Sequence, residues 1–214
     1  MDREAYFARW AALHGSYDPR SNALVRIWLS WTYALAKPLA ATRVPPDLVT
    51  VLGLVVSGAA AALAAGGDGW WLLAAALVVV ASAVVDNLDG AVAVLTDRPT
   101  RWGAVLDSLA DRCSDLLYLV ALWLAGAEPW VCVGGGALML LQEYSRARAG
   151  ASGMSEVGVV TVWERPTRVI VTAAFLGSAA LLGDPWPTLG AAAWLGLGVV
   201  GLVQLLVVVR RRLA

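Results

Sequence analysis

Residues 86–94 read DNLDGAVAV and residues 103–115 read GAVLDSLADRCSD. Five aspartates, Asp86, Asp89, Asp107, Asp111 and Asp115, thus stand between apolar runs such as WWLLAAALVVVASAVV (70–85) and LLYLVALWLA (116–125). A carboxylate near a bilayer centre costs roughly 2.5–3.5 kcal/mol, so such a cluster persists where it lies shallow, faces an aqueous cavity or is neutralised by cations. The pattern points to function inside an all-α integral membrane protein, and the composition agrees. The 214 residues are 59% hydrophobic and 15% charged, with mean hydropathy +0.69, too apolar for an ordinary soluble domain. Sixteen Lys+Arg balance sixteen Asp+Glu, leaving no global basic field to attract nucleic acid. Cys113 and Cys132 lie in apolar segments without metal-ligand spacing and read as small buried hydrophobes. The mixed-charge N-terminus has no short apolar core with a cleavage site, so a cleaved signal peptide is not expected.

Working outward from the aspartates, the sequence predicts six transmembrane helices. They run over about 47–65, 70–90, 102–124, 130–144, 159–182 and 189–209, each close to the roughly 20 residues that cross a hydrocarbon core. The turns at 66–69, 126–129 and 183–187 carry Asp68, Glu128 and Asp184 but no Lys or Arg, and every basic residue falls on the opposite side. The positive-inside rule then puts both termini and the aspartates on the cytoplasmic side of the membrane. Residues 1–44 form an interfacial, amphipathic segment: Leu24, Ile27, Trp28, Trp31 and Leu35 recur at helical spacing, with Arg20, Arg26, Ser30 and Lys37 on other faces. A shorter helix from Arg3 to His14 repeats the theme with Tyr6, Phe7 and Trp10. The six-helix domain spans 45–209, and 210–214 form a basic tail. Gly134 to Gly136 and Gly196, Gly198 and Gly201 permit close helix contact, within the bundle or with a second subunit, and packing is the simpler reading. His14 is expected to be solvated, with no chemical role.

At about 100° per residue, Asp86 and Asp89 lie about 60° apart on one helix and Asp107 and Asp111 about 40° apart on the next. A short turn joins these helices, so both pairs can converge on one cavity. Carboxylates brought together repel one another, and hard divalent cations such as Mg²⁺ and Mn²⁺ are the natural remedy. Gly90 and Gly103 remove side chains where a bulky ligand would approach the backbone. Metals held by carboxylates at a membrane surface point to phosphoryl or phosphodiester transfer, with a spare carboxylate oxygen as proton acceptor. Asp115 is the exception, since one turn deeper it can simply pair with Arg112 or an arginine of another helix.

The run resembles the signature of the CDP-alcohol phosphatidyltransferase family: Asp86, Asp89, Gly90 and Ala93, then eight residues from Leu95 to Trp102, then Gly103, Asp107 and Asp111. Val94 stands where that family has arginine, the one departure among eight fixed positions. The Pro46-Asp47-x-x-Thr50 opening of the first span, the interfacial N-terminal helix and the six spans extend the resemblance over nearly the whole chain. It implies transfer of a phosphatidyl group from a CDP-linked lipid to an alcohol with release of CMP, two Mg²⁺ or Mn²⁺ ions, and a homodimer. By the same resemblance, Asp86, Asp89 and Asp107 would be metal ligands and Asp111 both ligand and general base. Gly90, Ala93 and Gly103 would make room for the cytidine diphosphate, and Thr50 and Thr100 would contribute to the nucleotide pocket. Arg146, Arg148, Arg165 and Arg168 resemble the basic segments that hold a phosphorylated acceptor in bacterial inositol-phosphate and glycerol-phosphate transferases.

Valine at position 94 can neither donate a hydrogen bond nor carry charge, leaving Arg98 and Arg101 in the adjoining turn as possible substitutes. One alternative is therefore a family member that binds CDP-lipid without turnover. The other is a divalent-cation transporter, disfavoured because no acidic residues continue through the outer halves of the second and third spans. The acceptor alcohol is left open.

Overall fold

Long apolar runs broken by Pro and Gly turns produce eight α-helices and no strand among the residues that the computed structural model describes: 1–13, 18–154 and 160–214. They are α1 (Arg3–Leu13), α2 (Ala23–Ala41), α3 (Pro46–Ala64), α4 (Gly69–Thr96), α5 (Arg101–Leu124), α6 (Pro129–Ala151), α7 (Arg165–Leu182) and α8 (Trp186–Leu213). A 3-10 turn, Pro19–Ser21, precedes α2 and is capped by Asp18, whose carboxylate accepts from the Arg20 N–H. The expected start of the fifth span at Val159 and His14 lie outside the described residues, and residues 160–164 are not helical, so α7 begins at Arg165.

Three helices outrun their expected limits, and α6 does so by continuing to Ala151, seven residues past the expected end at Tyr144. α4 continues to Thr96, six residues past Gly90, because AVAVLT is as good a helix-forming run as the segment before it. It stops where Asp97 takes a positive φ of 53° and the Arg98 N–H bonds back to the Ala93 carbonyl, a left-handed helix end. α8 carries Arg210, Arg211 and Arg212 in its last turn, where cations favour the negative helix end, so the expected basic tail is helical. Among the described residues three helices, α3, α4 and α8, are long and apolar enough to cross a membrane. Charged side chains reduce the apolar character of α5, α6 and α7.

The chain divides into two units, one of Met1–Leu54 with Ser82–Asp111 and one of Val55–Ala81 with Arg112–Ala214. In the first, α1 and α2 pack on the last turns of α4. Tyr6, Phe7, Leu29 and Ala36 form one apolar cluster with Leu88, Ala91, Val92 and Val94. Tyr6 and Phe7 of α1 therefore face protein, and burial pushes the Tyr6 hydroxyl pKa up to about 12. α2 differs. It buries Leu29, Thr32 and Ala36, whereas Ile27, Trp28, Trp31 and Leu35 stay exposed on another face.

α5 carries an exposed apolar stripe of Val105, Leu109 and Leu116, while Ala110, Ser114 and Asp115 are buried, as are Tyr118, Leu119 and Leu122 further along. Cys113 is exposed with that outer stripe, which corrects the expectation that both cysteines are buried; Cys132 is buried. In the second unit, glycines let α6 and α8 touch. A Cβ at Gly134 would lie 2.9 Å from Leu195, and one at Gly201 would lie 2.9 Å from Gln142 Oε1 on α6. These contacts bear out the packing reading of both residues. Trp163 meets Trp194 edge-on at 5.0 Å, and the Trp194 indole N–H donates to Thr172 Oγ1 at 3.0 Å.

Candidate active site

The first unit gathers the signature residues from α3, α4 and α5. α3 runs close to α4: a Cβ at Gly53 would sit 3.4 Å from the Asp86 backbone nitrogen. Two turns of α4 then present Asp86 and Asp89, both buried, and the first turns of α5 present Asp107 and Asp111, both half-buried. One carboxylate oxygen from each of Asp86, Asp107 and Asp111 lies within 4.8 Å of the others. Three hard oxygen donors this close suit Mg²⁺ or Mn²⁺, and without a cation their mutual repulsion would oppose the arrangement. The donor set fits the expected metal chemistry.

Asp89, the fourth expected ligand, is not part of that triad. Its Oδ2 accepts from the Thr50 hydroxyl at 2.5 Å, and its Oδ1 accepts from the Gly90 N–H. Thr50 also donates to the Pro46 carbonyl at 3.3 Å. Thr50 is thus tied to the acidic site through Asp89. Substitutions of such outer-shell partners typically cost about 10–100-fold in metal affinity or activity, and Thr50→Val is expected to fall in that range when Mn²⁺ dependence of CMP release is titrated.

The glycines divide. A Cβ at Gly90 would meet nothing within 4 Å, so space is open there, and Ala93 one turn on is half-buried. Around Gly103 the space is already used, since a Cβ would lie 3.0 Å from Thr100 Oγ1 and 3.5 Å from Asp47 Oδ1. Thr100 caps α5 by accepting the Gly103 N–H at 2.8 Å, a job visible in the sequence only as a threonine before a helix. Val94 is 5% exposed within the apolar cluster under α1 and α2. An arginine there would bury its charge among Tyr6, Phe7 and Leu29, so Val94→Arg is expected to cost on the order of 3 kcal/mol, read as a lower unfolding midpoint.

The basic residues of the second unit are mostly engaged. Arg168, 0% exposed, donates through Nη1 to Asp115 and through Nη2 to Glu143 at 2.8 Å. Arg112 pairs with Glu143 at 2.7 Å and with Asp115 at 3.5 Å, and Arg146 pairs with Glu164 at 2.8 Å. Asp115 thereby has the structural partners anticipated for it. Arg148 is exposed and Arg165 half-buried. Sequence reasoning passed over Glu143 and Glu164. The available signal was acids interleaved with arginines in QEYSRAR and WERPTR.

Helices of spanning length and a carboxylate triad fit a membrane protein that binds divalent cations. Residues 43–209 match the family described as CDP-alcohol phosphatidyltransferase, and the chain belongs to that family. The phosphatidylinositol phosphate synthase of Mycobacterium tuberculosis is 33% identical over 173 residues, covering 77% of this chain and 77% of that protein. The archaetidylinositol phosphate synthase of Methanothermobacter thermautotrophicus is 38% identical over 137 residues, covering 62% of this chain and 67% of the relative. The crystal structure of the M. tuberculosis synthase with CDP-DAG bound superimposes with a TM-score of 0.71 at 32% identity, covering 83% of this chain and 92% of that one. The same enzyme in complex with manganese and citrate gives a TM-score of 0.71 at 33% identity, with 84% and 88% covered. The chain is accordingly an integral membrane enzyme of phospholipid synthesis, moving a phosphatidyl group from a CDP-linked lipid to an alcohol with release of CMP, and its family uses divalent metal ions. The transporter alternative gives way to this membership.

Proposed function

We propose that the acceptor is an inositol phosphate, so that the product is a phosphatidylinositol phosphate. The observation that carries the chemistry is the convergence of Asp86, Asp107 and Asp111 within 4.8 Å. The acceptor assignment is supported by relatives from bacteria and archaea that are named for inositol phosphate products. Asp86, Asp89, Asp107 and Asp111 are the residues that would hold two Mg²⁺ or Mn²⁺ ions, which would supply charge neutralisation for phosphodiester transfer.

Asp111 accepts the proton of the acceptor hydroxyl as that oxygen bonds to the phosphorus carrying the diacylglycerol. The bond from this phosphorus to the oxygen bridging to CMP breaks, and CMP leaves. Thr50, Gly90, Ala93, Thr100 and Gly103 belong to the nucleotide side of the site: Gly90 leaves room, while Thr50 and Thr100 hold the Asp89 carboxylate and the α5 start. Of the arginines assigned to the acceptor's phosphate, Arg148 is exposed and Arg165 half-buried, which makes them the accessible candidates, whereas Arg146 and Arg168 are already paired with carboxylates.

In the same reading α3 to α8 are six spans, residues 45–209 are the catalytic domain, and both termini and the site face the cytoplasm. α2 lies in the interface with Ile27, Trp28, Trp31 and Leu35 towards lipid. The enzyme is a homodimer, to be checked by light scattering against the 22.4 kDa chain mass after subtracting detergent. The deciding experiment supplies purified protein with Mn²⁺, CDP-diacylglycerol and, separately, inositol phosphate, glycerol phosphate, free inositol or serine, and reads CMP. Release with inositol phosphate alone supports the proposal. Release with another acceptor only would replace it, and release with none would mark a lipid-binding member without turnover.

A further inference from the structure

α1, the 3-10 turn and α2 enclose a cleft of about 480 Å³ in the first unit, on helices that take no part in the carboxylate site. Its polar wall holds Arg3, Arg20 and Arg26 against a single acid, Glu4, which pairs with Arg20 at 2.5 Å and Arg3 at 3.9 Å. Arg26 makes no ion pair among the described residues. Its apolar lining is Phe7, which is buried, together with Ile27 and Trp31, 51% and 66% exposed. On α2 these two lie about 40° apart, with Arg26 and Ser30 at the adjacent edge, so charge and apolar surface meet along one line.

A net positive cleft bordered by exposed tryptophan and isoleucine has the chemistry of a site for an amphiphilic anion. We infer that this cleft binds the phosphate headgroup of an anionic phospholipid of the surrounding bilayer, with its acyl chains along Ile27 and Trp31. A free phosphate would satisfy the arginines but leave the apolar wall in water; a zwitterionic lipid would satisfy the wall but bring its own cation to three arginines. The inference rests on the interfacial reading of α2. Phe7, in the cleft lining, also belongs to the apolar cluster with Leu88, Ala91 and Val92 of α4.

The test uses delipidated full-length protein in detergent and titrates short-chain phosphatidylglycerol, short-chain phosphatidylcholine or inorganic phosphate while following the thermal midpoint and, by native mass spectrometry, bound lipid. Phosphatidylglycerol is expected to bind and stabilise, phosphatidylcholine and phosphate not. Removing an arginine should weaken phosphatidylglycerol about fivefold, and Arg3→Gln with Arg26→Gln about 25-fold, whereas Arg210→Gln with Arg211→Gln should change it little. Arg26→Glu, an exposed change, serves if the double variant fails to fold. Equal binding by wild type and the cleft variants overturns the proposal, as does equal loss in the C-terminal variant, which would mean general charge attraction. A phosphate response matching that of phosphatidylglycerol overturns the lipid assignment. CMP release measured on the same preparations reports the catalytic reading separately, since the cleft residues are outside its machinery.

Discussion

Asp111→Asn is expected to reduce CMP release by about a thousandfold or more, because general-base catalysis alone contributes about 10²–10⁴ and the amide also weakens a carboxylate ligand. Asparagine keeps the size and the helix position, so the unfolding midpoint should stay close to wild type. The measurement is single-turnover CMP release with saturating Mn²⁺ and CDP-diacylglycerol, repeated across metal concentration. Recovery at high Mn²⁺ would assign Asp111 to metal affinity, whereas loss that no metal restores fits the proton acceptor. Retention of more than about a tenth of wild-type turnover would remove Asp111 from the mechanism, since a base worth a factor of 10² or more leaves no such residue. Asp115, one turn further along α5, should behave in the opposite way, with Asp115→Asn lowering stability first.

Arg168→Leu is expected to destabilise the enzyme by about 3–5 kcal/mol, the usual cost of removing one partner from a buried ion pair. Arg168 and Asp115 are each 0% exposed, and among the described residues loss of the guanidinium leaves Asp115 only the ion pair with Arg112 at 3.5 Å. Glu143 would keep Arg112 at 2.7 Å and Arg146 at 3.6 Å, so the deficit falls on Asp115. Denaturant unfolding in a fixed detergent would read the change. Arg148→Gln is the contrast: exposed, it should alter stability by no more than about 0.5 kcal/mol while raising KM for the phosphorylated acceptor. If Arg168→Leu unfolds as wild type does and changes only acceptor KM, the arginine serves the acceptor rather than the bundle.

Much of the site was legible because helical spacing is a property of the chain itself. Asp86 and Asp89, and Asp107 and Asp111, share faces wherever their helices go, and a short turn obliges those helices to be neighbours. The structure brings Asp86, Asp107 and Asp111 together as that geometry requires. Asp89 was less predictable, since its bond to Thr50 depends on how closely α3 passes α4 at Gly53. Gly103 looked like room for a ligand, yet the neighbouring threonine fills that space to cap the helix. Aromatic residues of α1 resembled those of α2, but only contact partners distinguish a ring against α4 from one left exposed.

By itself the sequence determined the all-helical class, the family and the carboxylate spacing, because hydropathy, turn residues and signature positions are local. Tertiary structure alone decided which charged groups are spent on one another. Val94 is buried where the family carries arginine, and Arg168 is locked between Asp115 and Glu143, choices set by residues distant in sequence. The physical reason is that burial makes an unpaired charge costly, so a buried charge takes its role from whichever partner the packing brings within reach.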